Sequence, residues 1–151
     1  LSVPTVSRLA REVPNFTGIK DSTGALTNAA EIVRAAPPGF RVFMGRDTLI
    51  FGALLYGCAG AVAATANVAP ALAVGIHDAV MGGDLPKARE LQAKLAPVRR
   101  LFTIGSHPLG LKEAMVQLGT LECGRCRRPT LELTPAQKNE VTAVLREAGL
   151  R

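Results

Sequence analysis

A chain of 151 residues that is 48% apolar and 20% charged has the composition of an ordinary globular protein and is long enough for one domain. Its net charge of +6 does not describe a nucleic-acid surface. The basic residues are scattered along expected helices apart from a cluster at Arg125, Arg127 and Arg128, no aromatic residues are interleaved with them, and no known binding motif is present.

In chain order, residues 2–12 read as a short helix, with Ser2 as its cap, Pro4 near the first turn, and Val6 and Leu9 on one side. Residues 16–21, FTGIKD, read as a strand. Period-two alternation puts Gly18, Lys20 and Ser22 on one face and Thr17, Ile19 and Asp21 on the other, which separates the Lys20 amine from the neighbouring carboxylate. Residues 22–24 turn the chain into a helix over 26–35, ended by Pro37, Pro38 and Gly39. The next strand is 40–44, with Gly45 at its end. Asp47 or Thr48 is expected to cap a helix over 49–56, and Gly57 stops it. A third strand spans 60–65 and is closed by Asn67; Pro70 then starts a helix to about 81.

Strand and helix alternating with short turns imply parallel strands joined by right-handed crossovers. Beyond the break at Gly82, Gly83 and Asp84, the pattern is helical. One helix is expected over 85–101 with Leu91, Leu95 and Val98 on its buried face, ended or kinked by Pro97. Another covers 108–118, and a last one follows Thr134 as cap and Pro135 as first-turn residue, with Val141, Val144 and Leu145 as its apolar stripe and Gly149 at its end. No repeat or low-complexity linker divides the chain.

Residues 48–76 carry no charge, long enough to test as a membrane span. Glycines, Asn67 and Pro70 break the run, and a buried parallel strand between packed helices accounts for it; no membrane partner is expected. Residues 1–15, LSVPTVSRLAREVPN, have no apolar core of a secretory signal. With an odd cysteine count of 3, this points to a reducing, cytoplasmic compartment. Cys123 and Cys126 form a CxxC, half a zinc site or a redox pair, and no second ligand pair stands at useful spacing. No metal site is expected. Cys58 reads as a small buried hydrophobe, and His77 and His107 as satisfied or solvated histidines.

Spacing alone leaves two readings of Lys20. It is a solvated lysine at a strand end, or it is a nucleophile, which requires the ammonium to be disfavoured from its ordinary pKa of about 10.4 by desolvation or a neighbouring cation. Gly18 leaves room beside such an amine. Lys20, Gly45 with Asp47, and the segment 62–67 all fall at the carboxyl ends of strands, where barrels of alternating strands and helices carry their active sites.

GIKDSTG at 18–24, preceded by Pro14 and Asn15, resembles the Schiff-base lysine strand of the dihydrodipicolinate synthase and N-acetylneuraminate lyase family of pyruvate-dependent lyases and aldolases. MGRDTLIFGALLYGCAGAVAATANVAP at 44–70 is similar to the family's next two strands. The tail at 108–135, with GLK, CGRCRRP and LTP, is a weaker third match. The resemblance implies an α/β fold: the C-terminal portion of a TIM (β/α)8 barrel, about three parallel strands with helices at 1–84, and a C-terminal helical extension at 85–151 packed on it. It implies Lys20 as the nucleophile, Gly45 beside the bound substrate, Val62 at the position whose carbonyl faces the imine, and Asp47 near the second substrate, although a helix-capping role explains Asp47 equally well. Pyruvate and an aldehyde or keto-acid co-substrate are the implied partners. No metal or organic cofactor is implied, and the full-length form is expected to be a homo-oligomer.

The reaction implied is that of a class I lyase or aldolase, 4-hydroxy-tetrahydrodipicolinate synthase-like. Departures keep alternatives open. Ala64 stands where sialic acid lyases carry a serine, and Thr48 replaces their carboxylate after the aspartate, so sialic acid is not the expected substrate. HPLGLK at 107–112 and CGRCRRP lean toward 4-hydroxy-2-oxoglutarate and other 2-keto-acid aldolases. The paired threonines, the catalytic tyrosine and the pocket arginine of the family have no counterpart, and Tyr56 does not match that tyrosine. A catalytically inactive fragment that acts only by association is therefore the reading of another class.

Overall fold

The computed structural model describes residues 1–151. Its centre is a parallel sheet of β1 (Gly18–Asp21), β2 (Arg41–Met44) and β3 (Gly60–Ala61), in that spatial order. The helices are α1 (Val3–Glu12), α2 (Leu26–Ala35), α3 (Ile50–Leu55), α4 (Pro70–Met81), α5 (Leu85–Leu95), α6 (Leu109–Gln117) and α7 (Pro135–Glu147).

Local chemistry sets most of these boundaries. Ser2 Oγ accepts from Thr5 N at the start of α1, and Asp84 Oδ1 accepts from Lys87 N at the start of α5. Thr134 and Gln137 form a reciprocal capping box on α7. Proline occupies the first turn of α1, α4, α5 and α7, where its missing N–H removes no helical bond.

Three expectations need correction. The third strand stops at Ala61, and Ala64–Asn67 is a 3₁₀ turn, because the Thr65 N–H and hydroxyl both donate to Asp47 instead of continuing a ladder. Neither Asp47 nor Thr48 caps the following helix. Asp47–Leu49 is itself a 3₁₀ turn, and α3 begins at Ile50 with no side-chain cap. The helix expected over 85–101 ends at Leu95, and Ala96–Phe102 continues as 3₁₀. Pro97 has no N–H to donate, so the α-helical ladder does not run through it.

The two faces of the sheet have different surroundings. Register pairs Lys20 with Phe43 and Phe43 with Gly60, so these three share a face, and alternation separates them from Asp21, Val42 and Met44. On that second face, Val42 and Met44 are buried with Val6 of α1, Ala29 and Ile32 of α2, and Ala53 of α3. A larger cluster runs from Ile50 and Leu54 through Ile76 to Leu95, Val98 and Leu145. Each such aliphatic side chain contributes about 1.5–3 kcal/mol on burial, so the helical extension is fixed by its own core as well as by α4. On the face that carries Lys20, Phe43 and Gly60 line a cleft with Ala73, Val74 and His77 of α4, while Lys20 is exposed and Val62 is 51% exposed. The uncharged run at 48–76 is divided among α3, β3 and α4, and no helix is long and apolar enough to cross a membrane.

Candidate active site

The four residues singled out in the sequence, Lys20, Gly45, Asp47 and Val62, line one cleft of about 280 Å³ at the carboxyl ends of the strands. Lys20 reaches it because β1 alternates as expected. Asp21, its neighbour, is turned to the opposite face and is only 4% exposed. There the Asp21 carboxylate accepts from the Thr23 N–H at 2.9 Å and the Asn28 amide at 3.0 Å. Burial alone would raise this carboxyl, but the hydrogen bonds from Asn28 and Thr23 outweigh it and hold the group below its ordinary range. The charge beside Lys20 in the sequence is thus bound elsewhere.

Gly45 is dictated by the same side chain. A Cβ at position 45 would overlap Ser22 Oγ and lie 2.8 Å from Lys20 Cε and 3.0 Å from the Asp21 carbonyl. Glycine here leaves the space that Ser22 Oγ and the lysine stem occupy at the end of β2. Beneath the cleft, Cys58 is buried at 3% exposure, and burial, with the nearby Asp21 carboxylate second, pushes its thiol up. It packs as the small hydrophobe expected from its sequence context.

Asp47 is held more tightly than a helix cap or a ligand contact requires. It is 3% exposed. Its Oδ1 accepts from Thr65 N at 2.9 Å and Thr65 Oγ1 at 2.7 Å, while its backbone carbonyl accepts from Gln92 Nε2 at 3.1 Å. Gln92 Oε1 in turn accepts from Phe51 N at 3.0 Å. This one residue therefore ties the end of β2 to the turn after β3 and to α5.

Sequence reasoning missed the far wall of the cleft, which is built by Arg99, Phe102 and His107. His107 is exposed, in keeping with the satisfied or solvated histidine expected, and its ring is stacked on Phe102 with centroids 5.1 Å apart. Arg99 lies over the same Phe102 ring, its Cζ 3.6 Å from the centroid. The only signal was HPLGLK, which places His107 in a matched segment without giving it a partner. Elsewhere, Cys58, Cys123 and Cys126 are free thiols, and no group of three or more His, Cys, Asp or Glu side chains is placed to hold a metal ion.

Parallel strands joined by helices form the C-terminal part of a (β/α) barrel, with a lysine, a glycine and a carboxylate gathered at the carboxyl ends of the strands, where such barrels carry their active sites. The profile of the Dihydrodipicolinate synthetase family matches residues 1–148, and the chain belongs to that family. It is 34% identical over 151 residues to a 4-hydroxy-tetrahydrodipicolinate synthase of Azoarcus sp. (strain BH72), covering 100% of this chain and 51% of that protein. It is 38% identical over 146 residues to another from Albidiferax ferrireducens, covering 97% of this chain and 48% of that one. Among solved structures, it is similar to YagE, a prophage protein of the dihydrodipicolinic acid synthase family from E. coli K12 in complex with pyruvate. That match has a TM-score of 0.93 at 27% identity and covers 100% of this chain and 52% of that one. The chain spans about half the length of the curated relatives it matches.

Proposed function

We infer that this chain carries the Schiff-base half of a pyruvate-dependent lyase, with Lys20 as nucleophile, and that its reaction is 4-hydroxy-tetrahydrodipicolinate synthase-like. The observation that carries the reading is the convergence of Lys20, Gly45 and Val62 on one cleft at the strand ends in a chain of this family. In this reading the deprotonated Lys20 Nζ attacks the ketone carbon of pyruvate and water leaves to give a protonated imine. Loss of a methyl proton then gives an enamine, whose carbon bonds to the carbonyl carbon of an aldehyde, and hydrolysis returns the amine. Gly45 gives the lysine its path, and the Val62 carbonyl faces the imine. Asp47 acts on the second substrate through position, since Thr65 already occupies its Oδ1. Residues 1–84 supply the last barrel units and 85–151 the extension that closes the cleft.

A second reading within the same chemistry is a 4-hydroxy-2-oxoglutarate or other 2-keto-acid aldolase, favoured by HPLGLK and CGRCRRP. A reading of another class is an inactive fragment that acts only by association. It is favoured by the exposure of Lys20 and by the absence of a tyrosine in the cleft for the proton transfers of imine formation, a loss that typically costs about 10²- to 10⁴-fold. The deciding experiment is borohydride trapping with pyruvate, read by intact mass and peptide mapping, with Lys20→Arg as control. A reduced pyruvyl adduct on Lys20 supports the lyase reading. A folded sample that gives no adduct sinks it for this chain and leaves the association reading.

A further inference from the structure

Cys123 and Cys126 lie outside the Lys20 cleft and take no part in the reaction above. Both are free thiols on the connection between α6 and α7, Cys123 exposed and Cys126 partly buried. Cys126 packs against the larger core cluster. Cys123 lines a separate cleft of about 250 Å³ with Glu113 and Val116 of α6 and Lys138 of α7.

Two hydrogen bonds put both sulfurs on one peptide unit. The Arg125 N–H donates to Cys123 Sγ at 3.4 Å, and the Cys126 thiol donates to the Gly124 carbonyl at 3.9 Å. That carbonyl and that N–H are the two ends of the Gly124–Arg125 peptide, whose nitrogen and oxygen are about 2.3 Å apart. The sulfurs are therefore no more than about 10 Å from each other. A disulfide needs them at about 2.05 Å with the Cα atoms within about 6.8 Å, so the CGRC segment has to tighten into a turn. Little opposes that. Residues 123–127 form no helix, strand or turn, and no backbone N–H from 122 to 129 donates to a backbone carbonyl. The ties that hold the segment are exposed ones: Lys112 Nζ donates to the Arg125 carbonyl, and Arg125 faces Glu132 at 3.7 Å.

The two thiols differ in access, and this assigns their order. Cys123 meets solvent, whereas Cys126 is shielded by the core on one side. We propose that they are a thiol–disulfide exchange pair, in which Cys123 attacks a low-molecular-weight disulfide such as oxidised glutathione and Cys126 resolves the product. The Cys123 thiolate bonds to one glutathione sulfur, and the other glutathione leaves as its thiolate. The Cys126 thiolate then bonds to Cys123 Sγ and expels the second glutathione. Two protein thiols become one disulfide, oxidised glutathione becomes two thiols, and the two protons lost by the protein are taken up by them. Cys58, only 3% exposed, has no such access. The pair is independent of the Lys20 reading.

In the test, oxidised glutathione at about 0.1 mM is added to the full chain, and acid-quenched aliquots are read by intact mass and peptide mapping. A thiol this close in the chain is at an effective concentration on the order of millimolar, so closure should outrun glutathione by about tenfold and the mixed disulfide should stay minor. The expected product has lost two hydrogens, joins the Cys123 and Cys126 peptides, and leaves Cys58 as a thiol. Excess reduced glutathione should restore the dithiol. Cys126→Ser should stop at a glutathione adduct on Cys123, while Cys123→Ser should form its adduct on Cys126 at least about threefold more slowly. No disulfide in the native chain, a mixed disulfide as its lasting product, or equal rates in the two folded variants overturns the proposal. If either variant does not melt cooperatively, limiting iodoacetamide on the native chain decides. Cys123 should be alkylated first, and alkylation of Cys126 at an equal or faster rate overturns the proposal.

Discussion

Replacing Thr65 with valine tests whether Asp47 is the strut that the geometry describes. Thr65 is fully buried, and its hydroxyl donates to Asp47 Oδ1 at 2.7 Å while its N–H donates to the same oxygen at 2.9 Å. Valine keeps the shape and removes only the hydroxyl. A hydrogen bond to a charged group contributes about 1.5–3 kcal/mol. The surviving N–H bond still satisfies Oδ1, so the loss should fall in the lower part of that range, about 2 kcal/mol. For a chain of this size, each kcal/mol corresponds to about 2–4 °C in Tm, so a fall of about 4–8 °C is expected. Urea unfolding followed by far-UV circular dichroism should show a lower midpoint at unchanged slope. The Asp47→Asn variant completes a double-mutant cycle, in which the two changes should couple by at least about 0.5 kcal/mol. A Thr65→Val cost below about 0.5 kcal/mol, the size of an ordinary surface change, would refute the strut and leave Asp47 as a ligand contact.

Gly45→Ala should drive the Lys20 side chain from the cleft, because the new Cβ would sit 2.8 Å from Lys20 Cε. It should cost about 1–3 kcal/mol by overpacking and lower the yield of trapped pyruvate adduct more than it lowers stability; native-level trapping would contradict it. The Asp21 carboxyl is held below its ordinary range by Asn28 and Thr23 against the cost of burial. In the interval between its folded value and about 3.9, the unfolded chain therefore binds the extra proton, and the stabilisation present above that interval is lost as pH falls through it. Asn28→Ala should flatten this acid limb in urea titrations at stepped pH, and an equally steep limb would contradict the assignment. The outer edges of β1 and β3 have no strand partner, and Val62, Val74 and Met81 are 51%, 57% and 59% exposed. Concentration-dependent association is therefore expected, and a monodisperse 15.8 kDa species by light scattering across the concentration range would contradict it.

The legible part of the site was the part governed by local periodicity. Alternation alone put Lys20 and Asp21 on opposite faces, and the structure keeps them there, one exposed and the other buried. Gly45 could be placed at the end of its strand by punctuation, but the Ser22 Oγ and Lys20 Cε that a side chain there would meet are revealed by no spacing. Asp47 shows where local reasoning fails. An aspartate one turn before an apolar helix is a cap by propensity, yet two donors from Thr65 outcompete that role. The same pair of bonds curtails the strand that alternation extended to residue 65. Arg99 was out of reach altogether, because its meaning depends on Phe102 and Asp47 meeting across the fold.

These long-range contacts also decide how the C-terminal helices relate to the chemistry. Were 85–151 only a prop, its contacts with the strand ends would be apolar and interchangeable. Instead, Gln92 on α5 donates to the Asp47 carbonyl and accepts from Phe51 N, so the loop after β2 takes part of its shape from a side chain of the extension. The 3₁₀ segment that follows α5 then brings Arg99 and Phe102 to the cleft. Pro97 matters here through geometry: a 3₁₀ segment rises about 2.0 Å per residue with three residues per turn, against 1.5 Å and 3.6 for an α-helix. The change of winding at Ala96 resets which side chains face inward, leaving Val98 and Leu101 in the core and Arg99 and Phe102 at the cleft. The wall opposite Lys20 thus follows from where a helix gives way to a tighter one.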